Sequence, residues 1–198
     1  FGDADAASMP GADIARMSRE RIGEEIRLML EHPTRAAQPI GALPLLARFP
    51  VLFAEVFGLN PPPPEATWPL LSNLPATGIT RPIALMALLR DLAGNLDPDN
   101  QHPNIRTLRA RLMLSNEETD LMHWLSDALH ALDDWPDLTK AAAKRLMANP
   151  GWPALDRLFR ADPDHAAEIL DYAERMASLV AEGVAPPRFI AGETLIAL

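Results

Sequence analysis

The sequence has no cysteine and only 6% aromatic residues. The first absence excludes disulfides, thiolate metal sites and cysteine nucleophiles, and it fits a reducing interior. The low aromatic share, with abundant Ala and Leu and no runs of alternating β-branched residues, argues for helix over sheet. No apolar run reaches membrane-spanning length, and residues 1–17 have neither the basic start nor the apolar stretch of a signal peptide. A soluble cytoplasmic protein with no membrane partner is the expectation. A basic excess is also missing. The formal net charge of −9 argues against a chain that coats nucleic acid, since phosphate contact depends on accumulated Lys and Arg. Catalytic signatures are absent as well: there is no GxSxG, Walker, Rossmann or HExxH pattern.

What is present is enough apolar residue to build a core. At 198 residues and 48% hydrophobic, the chain makes one domain or two small ones. Charge is uneven along it. Residues 140–160 carry Lys140, Lys144, Arg145, Arg157 and Arg160 against the single acid Asp156, so a local basic face is compatible with the acidic total.

Ser18–Leu30 places Ile22, Ile26 and Leu30, with Met29 beside them, on one stripe at helical spacing, behind a serine able to cap the first free N–H groups. Glu20, Arg21, Glu24 and Glu25 crowd its entry. Before it, residues 1–13 read as a small, acidic lead-in without an initiator methionine, which gives the chain the look of a fragment. After it, Thr34 can cap a segment kinked by Pro39 and Pro44, and Phe49–Phe57 is a short apolar helix.

Asn60–Pro64 is a stiff extended linker. Trp68, Leu70, Leu71 and Leu74 form a short apolar turn or helix ending at Pro75, and Ile83–Leu92 is a nearly all-apolar core helix. A polar loop, 97–103, precedes a basic amphipathic helix over Ile105–Leu114. Ser115 and Glu118 make a capping box for the helix carrying Leu121, Met122, Leu125, Leu129 and Leu132. Helices are expected over Asp137–Met147 and Pro153–Phe159, separated by the breaker Asn149-Pro150-Gly151. Another, over Ala166–Ala181 behind the cap Asp162-Pro163, sets Ile169, Leu170, Ala173, Met176 and Val180 at helical spacing. Pro186-Pro187 is a second linker, and a last helix starts at Gly192. The fold class is all-α: an irregular array of about nine or ten short helices and no sheet.

Three groups invite chemistry. Asp3 and Asp5 offer paired carboxylates of the kind two-metal phosphoryl transfer uses, yet neither a strand nor a glycine loop accompanies them, and an acidic lead-in is the plainer reading. His123, Asp127 and His130 share one helix face that suits imidazole and carboxylate ligation of a metal; no fourth ligand is in register, and a solvated face is the plainer reading. Arg106, Arg109, Lys140, Lys144 and Arg145, with Trp135 or Trp152 for stacking, are candidates to face RNA phosphates, against ordinary helix-surface charge.

The order of segments goes further than any one of them. SRERIGEEIRLMLEHPTRA, LPLLARFPVLFAEVFG, WPLL, ALMALLRDL, LRARLMLSNEET, AAAKRLMANP, AAEILDYAERM and APPRFIAGETLIAL together resemble the C-terminal half of the bacterial tRNA nucleotidyltransferase and poly(A) polymerase family. The resemblance covers nearly the whole chain, and its most specific parts are ERI..E, RLMLSNEE and the PPRFIAGETLIAL ending. It implies neck-like helices over 1–59, a linker at 60–64, a helical body over 65–183 and the start of a tail over 184–198.

Glu20, Arg21, Ile22 and Glu25 would correspond to the family's last shared motif, expected to brace the neck under the nucleotide pocket. The catalytic head, with its metal-binding carboxylates and its Mg²⁺, CTP and ATP, would precede residue 1. The implied partners are that head and a tRNA or other RNA 3′ end, with no cofactor held by this chain. The chain alone is expected to be inactive, and no His-Asp pair of a phosphohydrolase domain occurs. A non-catalytic helical protein-interaction module is the alternative.

Overall fold

A computed structural model describes residues 18–31, 50–57, 68–75, 77–95 and 105–184. Among the described residues there are nine α-helices, two short 3₁₀ segments and no strand. The helices are α1 (Arg19–Glu31), α2 (Pro50–Phe57), α3 (Pro69–Asn73), α4 (Arg81–Asn95), α5 (Ile105–Leu112), α6 (Asn116–Asp133), α7 (Lys140–Met147), α8 (Trp152–Ala161) and α9 (Ile169–Ala181). The 3₁₀ segments are Trp135–Asp137 and Pro163–Glu168. The all-α class expected from composition is what forms.

The apolar helix α4 sits at the centre. Ile83 through Leu88 and Leu92 are buried, and α4 packs against α1, α3, α6 and α8. Ile22, Ile26 and Leu30 of α1 and Phe53, Val56 and Phe57 of α2 belong to the same hydrophobic cluster as the later helices. α1 and α2 reach it mainly through α5, which both of them pack against. The stretches 32–49, 60–64 and 185–198, where a kinked second helix, a linker and a last helix are expected, lie outside the described residues, as do Asp3 and Asp5.

Helix starts follow local chemistry. Ser18 Oγ accepts a bond from the Arg21 N–H at 3.3 Å, and Ser115 and Glu118 form both halves of the capping box, at 3.1 and 2.8 Å. α3 has no cap from its own sequence. Its Leu70 and Leu71 N–H groups donate to the two carboxylate oxygens of Asp91, on α4, at 3.0 and 2.9 Å. Burial raises the Asp91 carboxyl above its ordinary range, opposed by those two N–H bonds. A carboxylate at the positive end of a helix is the electrostatically favoured arrangement, here supplied from a distant part of the chain.

Three expected boundaries move. The helix read over Asp137–Met147 starts only at Lys140, because Thr139 Oγ1 takes the Ala142 N–H at 3.2 Å and so wins the cap; Asp137 closes the preceding 3₁₀ turn. Pro163 does follow the Asp162 cap, but it opens a 3₁₀ segment, and α9 begins at Ile169 rather than Ala166. On α9 the buried residues are Tyr172, Met176 and Leu179. Leu170 and Val180, read as part of the apolar face, point outward.

α5 ends at Leu112, two residues before the expected Leu114, and is followed by Met113, a non-glycine residue at φ +51°. The Leu114 N–H returns to the Arg109 carbonyl at 3.3 Å, the bond of a Schellman cap, in which glycine is the usual left-handed residue. Met113 is half exposed, so its side chain gives little in return. Relief of left-handed strain, set against glycine's extra chain entropy, predicts that Met113→Gly stabilises the protein by about 0.5–1 kcal/mol. Urea denaturation checks this, and a midpoint below wild type is the contrary result.

Candidate functional site

Two of the three most specific segments of the resemblance, ERI..E and RLMLSNEE, meet in space; the third, PPRFIAGETLIAL, lies outside the described residues. α1 packs directly on α5, and the crossing is closest at Gly23, where a Cβ would lie 2.4 Å from the Leu112 carbonyl oxygen. Glycine at this point lets two backbones touch. Arg81, at the start of α4 and only 8% exposed, closes the junction. Its Nε and Nη2 donate to the two carboxylate oxygens of Glu118 at 2.8 and 2.5 Å, and its Nη1 lies 3.5 Å from the carbonyls of both Gly23 and Leu112. One guanidinium thus ties α1, the end of α5 and the capping box of α6 to α4.

Glu20, Arg21 and Glu25 lie on the other side of α1, all exposed. The Glu20 carboxyl is held below its ordinary range by backbone and Ser18 hydrogen bonds at the helix start. Glu24, not Glu25, takes the Arg27 guanidinium, in a bidentate pair. Arg21 and Glu25 form no ion pair with another described residue, and Leu28 beside them is 40% exposed. The face is polar at one end and apolar at the other.

The five cations expected to meet RNA have different fates. Arg106 and Arg145 are exposed with no ion pair among the described residues. Arg109 donates to Asn116 Oδ1 at 2.6 Å. Lys140 and Lys144 both converge on Glu182, at 2.8 and 3.3 Å, and hold its carboxyl below the ordinary range, Lys140 most strongly. Residues 140–160 counted a single acid along the sequence; the fold adds Glu182 from the end of α9. Arg106 and Arg109 sit on α5, whose packing partners are α1, α2 and α6, whereas Lys140, Lys144 and Arg145 sit on α7, tied to the C-terminal end of α9.

His123, Asp127 and His130 are exposed on α6 as their spacing requires, and the His130 Nδ1 is 3.7 Å from Asp133. No group of three His, Asp or Glu side chains among the described residues is placed to share a metal. Trp135 is buried, with its Nε1–H donating to Glu168 at 2.8 Å, so it is a core residue with no face free to stack on a base. Trp152 is half-buried against the core.

A second polar junction had no signal in the sequence. Arg90, on α4, meets Asp133 and Asp162, each at 2.7 Å, and His165 Nε2 lies 3.5 Å from Asp133 with its ring stacked on Phe159 at 4.3 Å. Burial lowers the Arg90 pKa, but the Asp133 hydrogen bond and the charges of Asp162, Asp133 and Asp164 outweigh it, for a net upward shift. Next to this junction Tyr172, fully buried between Phe159 and Trp135, donates to Asp156 at 2.9 Å. Burial and that carboxylate push its phenol well above the usual range. The arrangement locks α8 and α9 to α4 and α6.

The chain matches no protein-family model, no curated protein and no solved structure.

Proposed function

We propose that this chain is the RNA-positioning helical portion of a tRNA nucleotidyltransferase or poly(A) polymerase-like enzyme, whose catalytic head belongs to a preceding segment. The observation that supports the reading is the α1–α5 junction. Two of the three stretches most specific to the resemblance, 85 or more residues apart in the sequence, are packed backbone to backbone at Gly23 and Leu112 and bridged by Arg81. The exposed Arg21 and Glu25 on the outer side of α1 then suit bracing against a neck helix, and the exposed Arg106 and Arg145 suit RNA backbone contact. Mg²⁺, CTP or ATP would be bound by the head, and in-line attack of the RNA 3′ hydroxyl on the α-phosphate would occur there.

The contributions of the cations differ. Lys140 and Lys144 must leave Glu182 to reach a phosphate, so their binding energy is offset by a lost ion pair, while Arg106 and Arg145 lose none made with a described residue. Fluorescence anisotropy with labelled tRNA is expected to show binding at low salt that weakens as salt rises. Arg106→Glu with Arg145→Glu is expected to weaken binding about tenfold and to lower the salt slope by about 1 for each phosphate no longer neutralised. Lys140→Gln is expected to change it less. A correctly folded sample that fails to bind tRNA at low salt would instead favour a helical protein-interaction module, the reading for which the acidic total and the neutralised lysines speak. Incorporation of labelled ATP by this chain alone with tRNA and Mg²⁺ would overturn the placement of the catalytic carboxylates outside it.

A further inference from the structure

α9 is apolar on two sides, and the described residues bury only one of them. Tyr172, Met176 and Leu179 line the buried side. At about 100° per residue, Val180, Ala173, Ala177, Leu170 and Ala181 follow one another around an adjoining stripe. Leu170 is 75% and Val180 57% exposed, the two most exposed large hydrophobic side chains among the described residues, and Ala177 and Ala181 are exposed with them. Single exposed apolar side chains are ordinary. A stripe about three turns long on one helix is the surface that a second helix covers.

The rim of that stripe is acidic. Glu174 comes next around the helix after Ala181, one turn from both Leu170 and Ala177, and Asp171 lies beyond it. Both are exposed, and neither forms an ion pair with a described residue. The cations nearby are committed elsewhere. Arg175 points to the opposite side of α9, where it donates to the carbonyls of Trp135, Pro136 and Leu138. Lys140 and Lys144 meet α9 at Glu182, also away from the stripe, and Arg160 pairs with Asp156.

We propose that this face docks an amphipathic helix of a partner protein, apolar where it meets α9 and carrying Lys or Arg along one flank. Leu170 and Val180 are the anchors at the two ends, and the small side chains of Ala173, Ala177 and Ala181 between them allow a close helix–helix approach. Charge selects this occupant over a second copy of the chain. Packed antiparallel about a two-fold axis, two such stripes set Glu174 and Asp171 against their own counterparts, and like charges across a helix pair disfavour it. Packed parallel, the acids would be pressed onto the uncharged Ile169 and Met176 side of the other copy and left without a counter-charge. A basic flank turns the same rim into ion pairs and speeds the encounter. The docking face on α9 is independent of RNA binding through α5 and α7.

The probe is a synthetic helical peptide of about 14 residues, or four turns, made of Leu, Ala and Lys with the lysines on one flank, beside a control with Glu in place of each Lys. Titrated into isotope-labelled protein and followed by NMR, the Lys peptide is expected to bind with a Kd on the order of 100 μM, since one helix face is well below the roughly 800 Å² per partner of a standard interface. It should shift the amides of Leu170, Ala173, Ala177 and Val180, and the Glu peptide should leave them unmoved. Leu170→Ser with Val180→Ser is expected to weaken binding about tenfold. Asp171→Lys with Glu174→Lys is expected to exchange the preference for the Glu peptide. Unchanged helical circular dichroism confirms that these exposed substitutions spare the fold. Binding of the Lys peptide that survives the serine variant is general attraction to an acidic chain and overturns the proposal. Failure of the wild type to bind the Lys peptide overturns it too, whether other residues of the chain cover the stripe or nothing does. Self-association in sedimentation that the serine variant abolishes would assign the face to a second copy, which also overturns it.

Discussion

Replacing Gly23 with alanine is expected to destabilise the protein although it improves the local helix. Alanine in place of glycine favours an isolated helix by about 1 kcal/mol, so an α1 peptide carrying Gly23→Ala should gain helicity. In the folded chain the new Cβ would stand 2.4 Å from the Leu112 carbonyl oxygen and 3.0 Å from its carbon. Both are backbone atoms and cannot swing aside. α1 must lift from α5, thinning the contacts of Ile22, Ile26 and Leu30 and stretching the Arg81 bonds to the Gly23 and Leu112 carbonyls, already 3.5 Å long. Overpacking of this kind costs about 1–3 kcal/mol, and it outweighs the helix gain when the backbone itself must move. A net loss of about 2 kcal/mol lowers the melting temperature of a chain this size by about 4–8 °C. Thermal unfolding at or above the wild-type temperature would show that the crossing is not close.

Glu118→Ala is expected to cost more than any other single change considered, about 3–5 kcal/mol. It leaves the buried Arg81 guanidinium without its carboxylate and removes half of the capping box at Ser115. Arg81→Met leaves a carboxylate that still has the Ser115 N–H and partial access to water, with a side chain 21% exposed. Its expected cost is smaller, about 2 kcal/mol, since an apolar side chain can fill much of the space. An order of costs reversed between the two variants in urea denaturation would show that the cation is not the group left stranded.

The same pair predicts a pH dependence. Burial by itself would raise the Glu118 carboxyl, but the hydrogen bonds from Arg81 and Ser115 and the Arg81 charge hold it below its ordinary value of 4.5. A carboxyl lowered in the folded state adds stability that is fully present above its unfolded value and is lost as pH falls through the folded one. The stability difference between wild type and Arg81→Met should therefore be constant above about pH 6 and shrink as the pH drops below 4.5. A difference that does not change with acidification would place the ion pair's contribution elsewhere.

Much of this fold is legible in short-range chemistry. Ser18 and Ser115 cap the helices their positions foretold, because an N-cap needs only a hydroxyl and the N–H groups two or three residues on. The burial of Ile22, Ile26 and Leu30, and of Ile83 through Leu88 and Leu92 on α4, follows from spacing and from a run too apolar to leave in water. Where two local signals compete, as Asp137 and Thr139 do for the start of α7, sequence order does not reveal which residue meets the free N–H groups.

The candidate site was legible only in its parts. Glu20, Arg21 and Glu25 stand out by charge, yet the residue of α1 on which the packing turns is Gly23, whose one signal was being a glycine inside a helix. Lys140 and Lys144 looked like a basic patch because Glu182 lies about forty residues away. Arg81 and Arg90 were invisible in an apolar helix until their carboxylate partners arrived from α6 and from Asp162.

Sequence alone determined that the chain is helical, where most of its helices begin, and which stripe of each seeks the core, since all of these depend on neighbours within a turn or two. Only the tertiary structure decided which charges are neutralised, which glycine is a contact point, and that α9 keeps a second apolar face exposed. Those outcomes depend on atoms brought together across tens of residues, where side-chain spacing carries no information and packing and charge pairing settle the result.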